Sequence, residues 1–130
     1  MDMHSGKVVW VDGAVVGVEA LCELLEKVRQ AYSQEQALVL IWDNWPVHYH
    51  EKVLTRACEL NIHLLWLPTY APWTNPIEKL WRWLKQEHLH NHQLAEQFSV
   101  LKDRVRAFLD NFLLGSVDLL RYCGLATPIT

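Results

Sequence analysis

The sequence lacks the features that mark membrane, secreted and strongly basic proteins. No apolar run is long enough to cross a bilayer, and the N-terminal residues Met-Asp-Met-His-Ser-Gly contain no apolar signal segment. The three cysteines are widely spaced and form no Cys-x-x-Cys motif, which predicts reduced core thiols of a cytosolic protein. The net charge of −3 gives no support to a basic DNA-binding module, although a catalytic domain that grips DNA elsewhere is not excluded.

The chain does contain enough apolar residues for a sizeable core. At 130 residues and 51% hydrophobic, it predicts one globular domain spanning 1–130, with a core at 7–89 and C-terminal helices at 93–123. Alternating strands and helices predict an α/β layer with parallel strands. The predicted strands are 7–11, 37–42 and 62–67, and the predicted helices are 15–32, 47–60, 76–88, 93–114 and 116–123.

Asp43 directly follows the continuous apolar run 37–42, which predicts a strand buried on both faces. Ligands of open α/β sheets gather at the carboxyl ends of strands, so an acid at this position suits a metal or substrate site. The alternative is that Asp43-Asn44 only begins a turn or caps backbone amides.

Glu78 lies near the start of the predicted helix 76–88, three residues after Asn75. Local chemistry favours a capping box, in which the Glu78 carboxylate reaches back to the Asn75 amide. On a helical wheel Glu78 projects from the edge of the apolar face, beside Arg82 and Lys85. These two cations either pair with Glu78 or contact DNA phosphates.

Histidines cluster at 48–50 and 88–92, in two His-x-His patterns. Because residues i and i+2 of a helix point about 200° apart, they chelate zinc poorly. Solvated or capping histidines are favoured, and only His48 is expected near Asp43. Carboxylates instead favour Mg²⁺, and two such ions promote in-line phosphoryl transfer, for which two acids are a thin ligand set.

The residues after 37 carry a specific combined pattern: a strand, Asp43-Asn44, His48, and then Leu67-Pro68-x-Tyr70-x-Pro72-x-x-Asn75-Pro76-Ile77-Glu78. Thirty-four residues, positions 44 to 77, separate the two acids. This pattern resembles the DDE transposases of bacterial insertion sequences in the mariner superfamily. The resemblance is strong over 37–89 and plausible over 7–36.

The resemblance implies an RNase H-like fold, here a partial mixed sheet with flanking helices that lacks the first strands. It implies a site for two Mg²⁺ (or Mn²⁺) ions, with Asp43 and Glu78 as the second and third catalytic acids. The other motif residues, which would shape this site, are Asn44, His48, Tyr70 and Asn75. The implied partner is DNA, both the element ends and the target. The resemblance also implies a nucleoid-associated protein that does not bind a membrane.

Two departures from that family pattern limit the expected activity. No acid matches the family's first catalytic Asp, and no helix-turn-helix precedes the domain. We therefore expect a C-terminal part of a transposase that is inactive alone and self-associates or pairs with an upstream half. One alternative is a non-catalytic remnant that binds DNA or full-length transposase; another is an unrelated α/β domain.

The predicted helix 93–114 carries a single apolar seam. Packing on the domain's own sheet is the favoured role of this seam, and an interaction surface is the alternative. The seam residues are Leu94, Phe98, Leu101, Val105, Phe108 and Phe112.

Overall fold

A computed structural model describes residues 1–13, 15–69, 71–89 and 98–125. The chain forms two compact units. We call Val9–Asn75 the strand unit, and Met1–Val8 with Pro76–Thr130 the helical unit. Among the described residues, none of the helices combines the length and the apolar character that crossing a bilayer requires.

The strand unit is a short β–α–β arrangement preceded by a helix. It contains α1 (Val18–Ala31), β1 (Leu38–Trp42), α2 (Glu51–Glu59) and β2 (Ile62–Trp66). The two strands pair in parallel, in a register that places Leu38 beside Ile62 and Trp42 beside Trp66. The mixed α/β class with parallel strands, predicted from the alternation of elements, is thus confirmed for this unit.

One face of the two-stranded sheet is covered by α1 and α2, and this packing forms the core of the unit. Side chains at alternate strand positions point into it, as the two-residue period of a strand requires. The opposite face remains exposed, with Val39 62% and Leu65 54% accessible. The prediction that 37–42 is buried on both faces is therefore wrong, because α1 and α2 cover the same side. The buried core residues are Leu21, Cys22, Leu25, Trp42, Val53, Ala57 and Ile62.

Residues 7–11 are not a strand, and that prediction is also wrong. The backbone polar groups of this segment are bonded outside any ladder. The Val8 amide donates to the Phe112 carbonyl at 3.0 Å, and Lys27 Nζ donates to the Trp10 carbonyl at 2.7 Å. The β-branched composition gave a strand signal, but tertiary partners decide the conformation here.

The predicted helix 47–60 is divided in two. A 3₁₀ turn covers Pro46–Tyr49, and α2 begins only at Glu51 because His50 is extended, with ψ 133°. His50 caps α2, since its Nδ1 accepts a hydrogen bond from the Lys52 amide at 3.2 Å. The predicted capping role of a histidine at a helix end is thus confirmed. Asn61, with φ 54°, is the left-handed residue expected after α2.

The helical unit contains three α-helices within the described residues. They are α3 (Ile77–Leu84), α4 (Phe98–Asp110) and α5 (Val117–Tyr122), and a π-helical turn at Lys85–Leu89 extends α3. Ser116 Oγ caps α5 by accepting from the Leu119 amide at 3.1 Å. Gly115 and Gly124 have positive φ, as expected of residues that end helices.

The seam of α4 is only partly buried. Phe108 and Phe112 are buried, whereas Phe98 is 67% exposed, and Leu94 lies outside the described residues. The sequence predicted packing of this seam on the sheet. The buried end of the seam instead contacts the ring of Trp83 in α3, whose centroid lies 5.9 Å from Phe108 and 5.6 Å from Phe112, and the His88 ring, 5.4 Å from Phe108.

All three cysteines are free, as predicted, but one of them is not in a core. Cys22 and Cys123 are buried, whereas Cys58 is exposed on α2.

Candidate active site around Asp43

Asp43 is the first residue after β1. Trp42 ends the strand with 7% exposure, and the Leu67 amide donates to the Trp42 carbonyl at 2.9 Å, one residue beyond β2. The backbone that precedes Asp43 is therefore fixed by the sheet, while the Asp43 side chain is 57% exposed. The acid thus lies at the carboxyl end of a parallel strand, as the sequence predicted, and faces solvent.

The Asp43 carboxylate is held through one oxygen. Oδ1 accepts from the Trp45 amide at 3.1 Å and lies 3.0 Å from Nδ1 of His48. His48 Nδ1 also lies 3.0 Å from the Asp43 carbonyl oxygen, and because both neighbours are acceptors, Nδ1 carries the proton. Oδ2 makes no hydrogen bond to the described residues.

His48 is fixed by aromatic neighbours as well. Its ring stacks on Trp42 at a centroid distance of 4.2 Å with an interplanar angle of 4°, and Trp45 lies edge-on to it at 5.4 Å. The His48 side chain is only 12% exposed. The sequence placed His48 near the acid, and the structure brings the two together.

Asn44 ties the loop after β1 to the end of β2. Its Nδ2 donates to the Leu67 carbonyl at 2.6 Å, and its Oδ1 accepts a hydrogen bond from the Tyr49 hydroxyl. Both functions of the side-chain amide are therefore used. This is a structural counterpart of the site-shaping role predicted for Asn44.

Tyr49 and Trp45 are members of this site that sequence reasoning did not single out. Tyr49 stacks on Trp66 at 5.2 Å with an interplanar angle of 16°, and Trp45 supplies the amide that binds Asp43. The sequence signal that could have identified Tyr49 is Pro46, which begins the 3₁₀ turn. This turn brings the Tyr49 ring back to Trp66 at the end of β2.

Glu78 lies in the first turn of α3, in the helical unit. It is exposed and makes no hydrogen bond or ion pair with the described residues. Pro76 is the N-cap residue of α3 and forms no side-chain cap bond. The capping-box interpretation of Glu78 is therefore wrong, although a carboxylate in the first turn still interacts favourably with the helix dipole.

The cations beside Glu78 are also unpaired. Arg82 and Lys85 are exposed and form no hydrogen bond or ion pair within the described residues. The interpretation that they pair with Glu78 is excluded in this structure. Their guanidinium and ammonium groups remain available to an external anion.

The other predicted site residues give less information. Tyr70 lies outside the described residues. Asn75 is partly buried at the end of the strand unit and has an interaction partner. Because Asp43 and Glu78 lie in different units, a metal site shared between them remains a prediction.

Within the described ranges, no three side chains of the His, Cys, Asp or Glu types form a group that could hold a metal ion. The available donors are hard carboxylate oxygens, of which Asp43 Oδ2 and the Glu78 carboxylate are unbonded. Such donors fit Mg²⁺ or Mn²⁺ in chemistry, but not in number. The histidines form no zinc site among these residues, while His90 and His92 lie outside them.

Comparison with known proteins places the chain in a family. Residues 2–102 match the family described as DDE superfamily endonuclease. The chain belongs to the DDE superfamily endonucleases. The match to this family covers both Asp43 and Glu78, and it extends through the strand unit into α4.

One relative of this DDE superfamily chain comes from Shigella sonnei and is named "Insertion element IS630 uncharacterized 39 kDa protein". It is 30% identical over 111 residues, which are 83% of this chain and 32% of that protein. The chain therefore spans about a third of the length of this curated relative. No solved structure matches the chain.

Proposed function

We propose that the chain is part of the catalytic domain of an insertion-sequence transposase of the mariner superfamily. Its reaction is divalent-metal-dependent cleavage of the phosphodiester at element ends, followed by strand transfer to target DNA. The observation that carries the proposal is Asp43, a carboxylate at the end of β1 that is 57% exposed and is bonded through only one of its oxygens within the described residues. Membership of the DDE superfamily endonucleases supports this choice of chemistry.

A carboxylate whose orientation is fixed before the metal arrives is a better ligand, and Asp43 is fixed in this way. His48 and the Trp45 amide hold Oδ1, so little rotational freedom is lost when Oδ2 binds. Bound Mg²⁺ ions would activate the attacking oxygen and stabilise the leaving one. Asp43, and by our proposal Glu78, would supply anionic oxygens that hold these ions.

The exposed face of α3 has a separate role in this proposal. Arg82 and Lys85 follow Glu78 by four and seven residues, and all three lack partners within the described residues. A free acid next to two free cations suits a site where DNA phosphate and metal meet, because the cations offset phosphate charge. We assign Arg82 and Lys85 to phosphate contacts next to Glu78.

The remaining ligands are proposed to come from outside the chain. The sheet of the strand unit has two strands and one uncovered face, which carries Val39 and Leu65. The curated relative is about three times longer than the aligned region. We propose that an upstream part of the catalytic domain, in cis or in trans, covers this face and supplies the first catalytic Asp.

A second candidate function is a non-catalytic remnant that pairs with a longer transposase. The exposed start of the α4 seam, where Phe98 is 67% accessible, favours it over a purely structural role for α4. Such a protein would bind its partner without any need for Asp43.

The test is cleavage of element-end DNA in Mg²⁺ by the chain joined to its upstream coding sequence. Asp43→Asn and Glu78→Gln should each abolish cleavage while leaving the fold intact. Asp118→Asn and Glu23→Gln are matched controls, since both remove an exposed carboxylate elsewhere in the chain. Full cleavage by the Asp43 or Glu78 variant would reject the assignment, and partner binding without cleavage by the wild type would favour the second candidate.

A further inference from the structure

The loop that carries Asp43 receives little support from regular secondary structure. Residues 43–45 belong to no strand or helix, and the 3₁₀ turn begins only at Pro46. The last bond of the strand ladder on this side is the one from Leu67 to Trp42. Side chains must therefore fix the position of the acid beyond that point.

The Asn44 amide has a single orientation that satisfies both of its ends. The Leu67 carbonyl accepts only, so the Nδ2 group must face it, at 2.6 Å. The Oδ1 atom is then left for a donor, and the Tyr49 hydroxyl is that donor. Without the hydroxyl, one end of the amide would lose its partner within the described residues.

Tyr49 is well placed to hold this amide because its own ring is anchored. The ring stacks on Trp66, the last residue of β2, while the hydroxyl reaches Asn44 five residues earlier in the chain. Tyr49 therefore closes a cycle of contacts: the chain runs from Asn44 through the 3₁₀ turn to Tyr49, the Tyr49 ring stacks on Trp66, and the neighbouring Leu67 carbonyl binds Asn44. Trp45 and His48, which hold Asp43 Oδ1, both lie inside this cycle.

We propose that Tyr49 is a positioning residue for the Asp43 carboxylate, acting through Asn44. It touches neither the metal ions nor DNA in this assignment. Its hydroxyl locks the Asn44 amide, and the locked loop keeps the Trp45 amide and the His48 ring on Oδ1, so that Oδ2 stays unbonded. The catalytic consequence rests on the proposed function, whereas the positioning itself does not.

The first arm of the test uses nuclear magnetic resonance of the full 130-residue chain and needs no activity. Tyr49→Phe keeps the ring stack and removes only the hydroxyl. We expect faster hydrogen exchange at the Trp45 amide, by about threefold to tenfold, as for the loss of one hydrogen bond. The Asn44 side-chain amide resonances should also move, while exchange at α1 amides such as that of Leu25 stays unchanged.

Tyr122→Phe is the matched control, because it removes a tyrosine hydroxyl that donates to Gln86 at 3.3 Å in the helical unit. It should leave the Trp45 and Asn44 signals unchanged. Wild-type exchange at Trp45 in Tyr49→Phe would overturn the proposal. So would an equal acceleration across α1, since that is the signature of a general loss of stability.

The second arm measures cleavage by the chain joined to its upstream part. Tyr49→Phe should raise the Mg²⁺ concentration required for half-maximal cleavage several-fold, with a smaller effect on the rate at saturating Mg²⁺. If the wild type does not cleave but the exchange effect is present, the proposed function fails and the positioning role stands. If the wild type cleaves and Tyr49→Phe changes neither readout, the positioning role fails and the proposed function stands.

Discussion

Asn44 joins the ends of both strands, because its side-chain amide donates to the Leu67 carbonyl at 2.6 Å. The residue beside the candidate catalytic acid is thus fixed to the neighbouring strand by a side chain. This bond links the loop after β1 to the segment after β2.

Replacing Asn44 by Ala should destabilise the chain by about 1–2 kcal/mol, because the variant loses the hydrogen bonds to the Leu67 carbonyl and from the Tyr49 hydroxyl. Asn111→Ala is the control, since Asn111 is exposed and its side chain makes no hydrogen bond in the described structure. Urea unfolding of both variants gives the difference. Equal stability of the two variants would show that these bonds contribute nothing.

Trp83→Ala should cost about 3 kcal/mol, because the indole contacts Phe108, Phe112 and Tyr122 and fills the space between α3, α4 and α5. Trp73→Ala removes the same atoms from a side chain that is 76% exposed. That variant should stay within about 0.5 kcal/mol of the wild type. Thermal unfolding measures both, and a larger loss for Trp73 would contradict the packing described for the helical unit.

Gly6→Ala should destabilise the helical unit by about 2 kcal/mol. Gly6 has φ +72°, and an added Cβ would overlap the carbonyl oxygen of Ser116. Gly13→Ala is the control, since its added Cβ meets only Val15 O, at 3.9 Å. The free energies of unfolding of the two variants decide the point. A tolerated Gly6→Ala would mean that residues 1–8 do not pack as described.

Thiol labelling should separate the three cysteines. Burial raises the pKa of the Cys22 and Cys123 thiols above the usual 9.0, whereas Cys58 is exposed. Because the folded state holds these protons more tightly than the unfolded chain, the two thiols stabilise the fold below the unfolded pKa. That contribution is lost as the pH rises through the folded pKa.

With a thiol reagent near neutral pH, Cys58 should react first, and the unfolding midpoint should fall as the pH rises above about 9. Cys22 that reacts as fast as Cys58 would contradict the burial of α1 against the sheet.

The order of the later elements was readable from the sequence because their end signals are local. Asn61 and Gly115 adopt the positive φ that ends a helix, and the apolar runs before Asp43 and Pro68 form the paired strands. Residues 7–11 were misread because composition favoured a strand, while the bond from Val8 to the Phe112 carbonyl depends on residues 104 positions apart. Such distant partners leave no local pattern.

In the candidate site too, local sequence predicted some features, whereas those that depend on distant contacts were missed. The position of Asp43 followed from the strand that precedes it, and its proximity to His48 followed from the motif. Tyr49 was not foreseen, since its role depends on a ring stack with Trp66 and a bond to Asn44 that arise only when the turn folds back. The capping box at Glu78 satisfied every local rule, yet the Glu78 carboxylate makes no hydrogen bond with the described residues.

The most direct test of the proposed function is the metal preference of cysteine variants of its two acids. In the chain joined to its upstream part, Asp43→Cys and Glu78→Cys should each lose cleavage in Mg²⁺ and regain part of it in Mn²⁺, because a thiolate is a poor ligand for the harder ion. Asp118→Cys should cleave as the wild type does in both metals. Cleavage in Mg²⁺ by the Asp43 and Glu78 variants at the wild-type rate would contradict a metal-binding role for these acids.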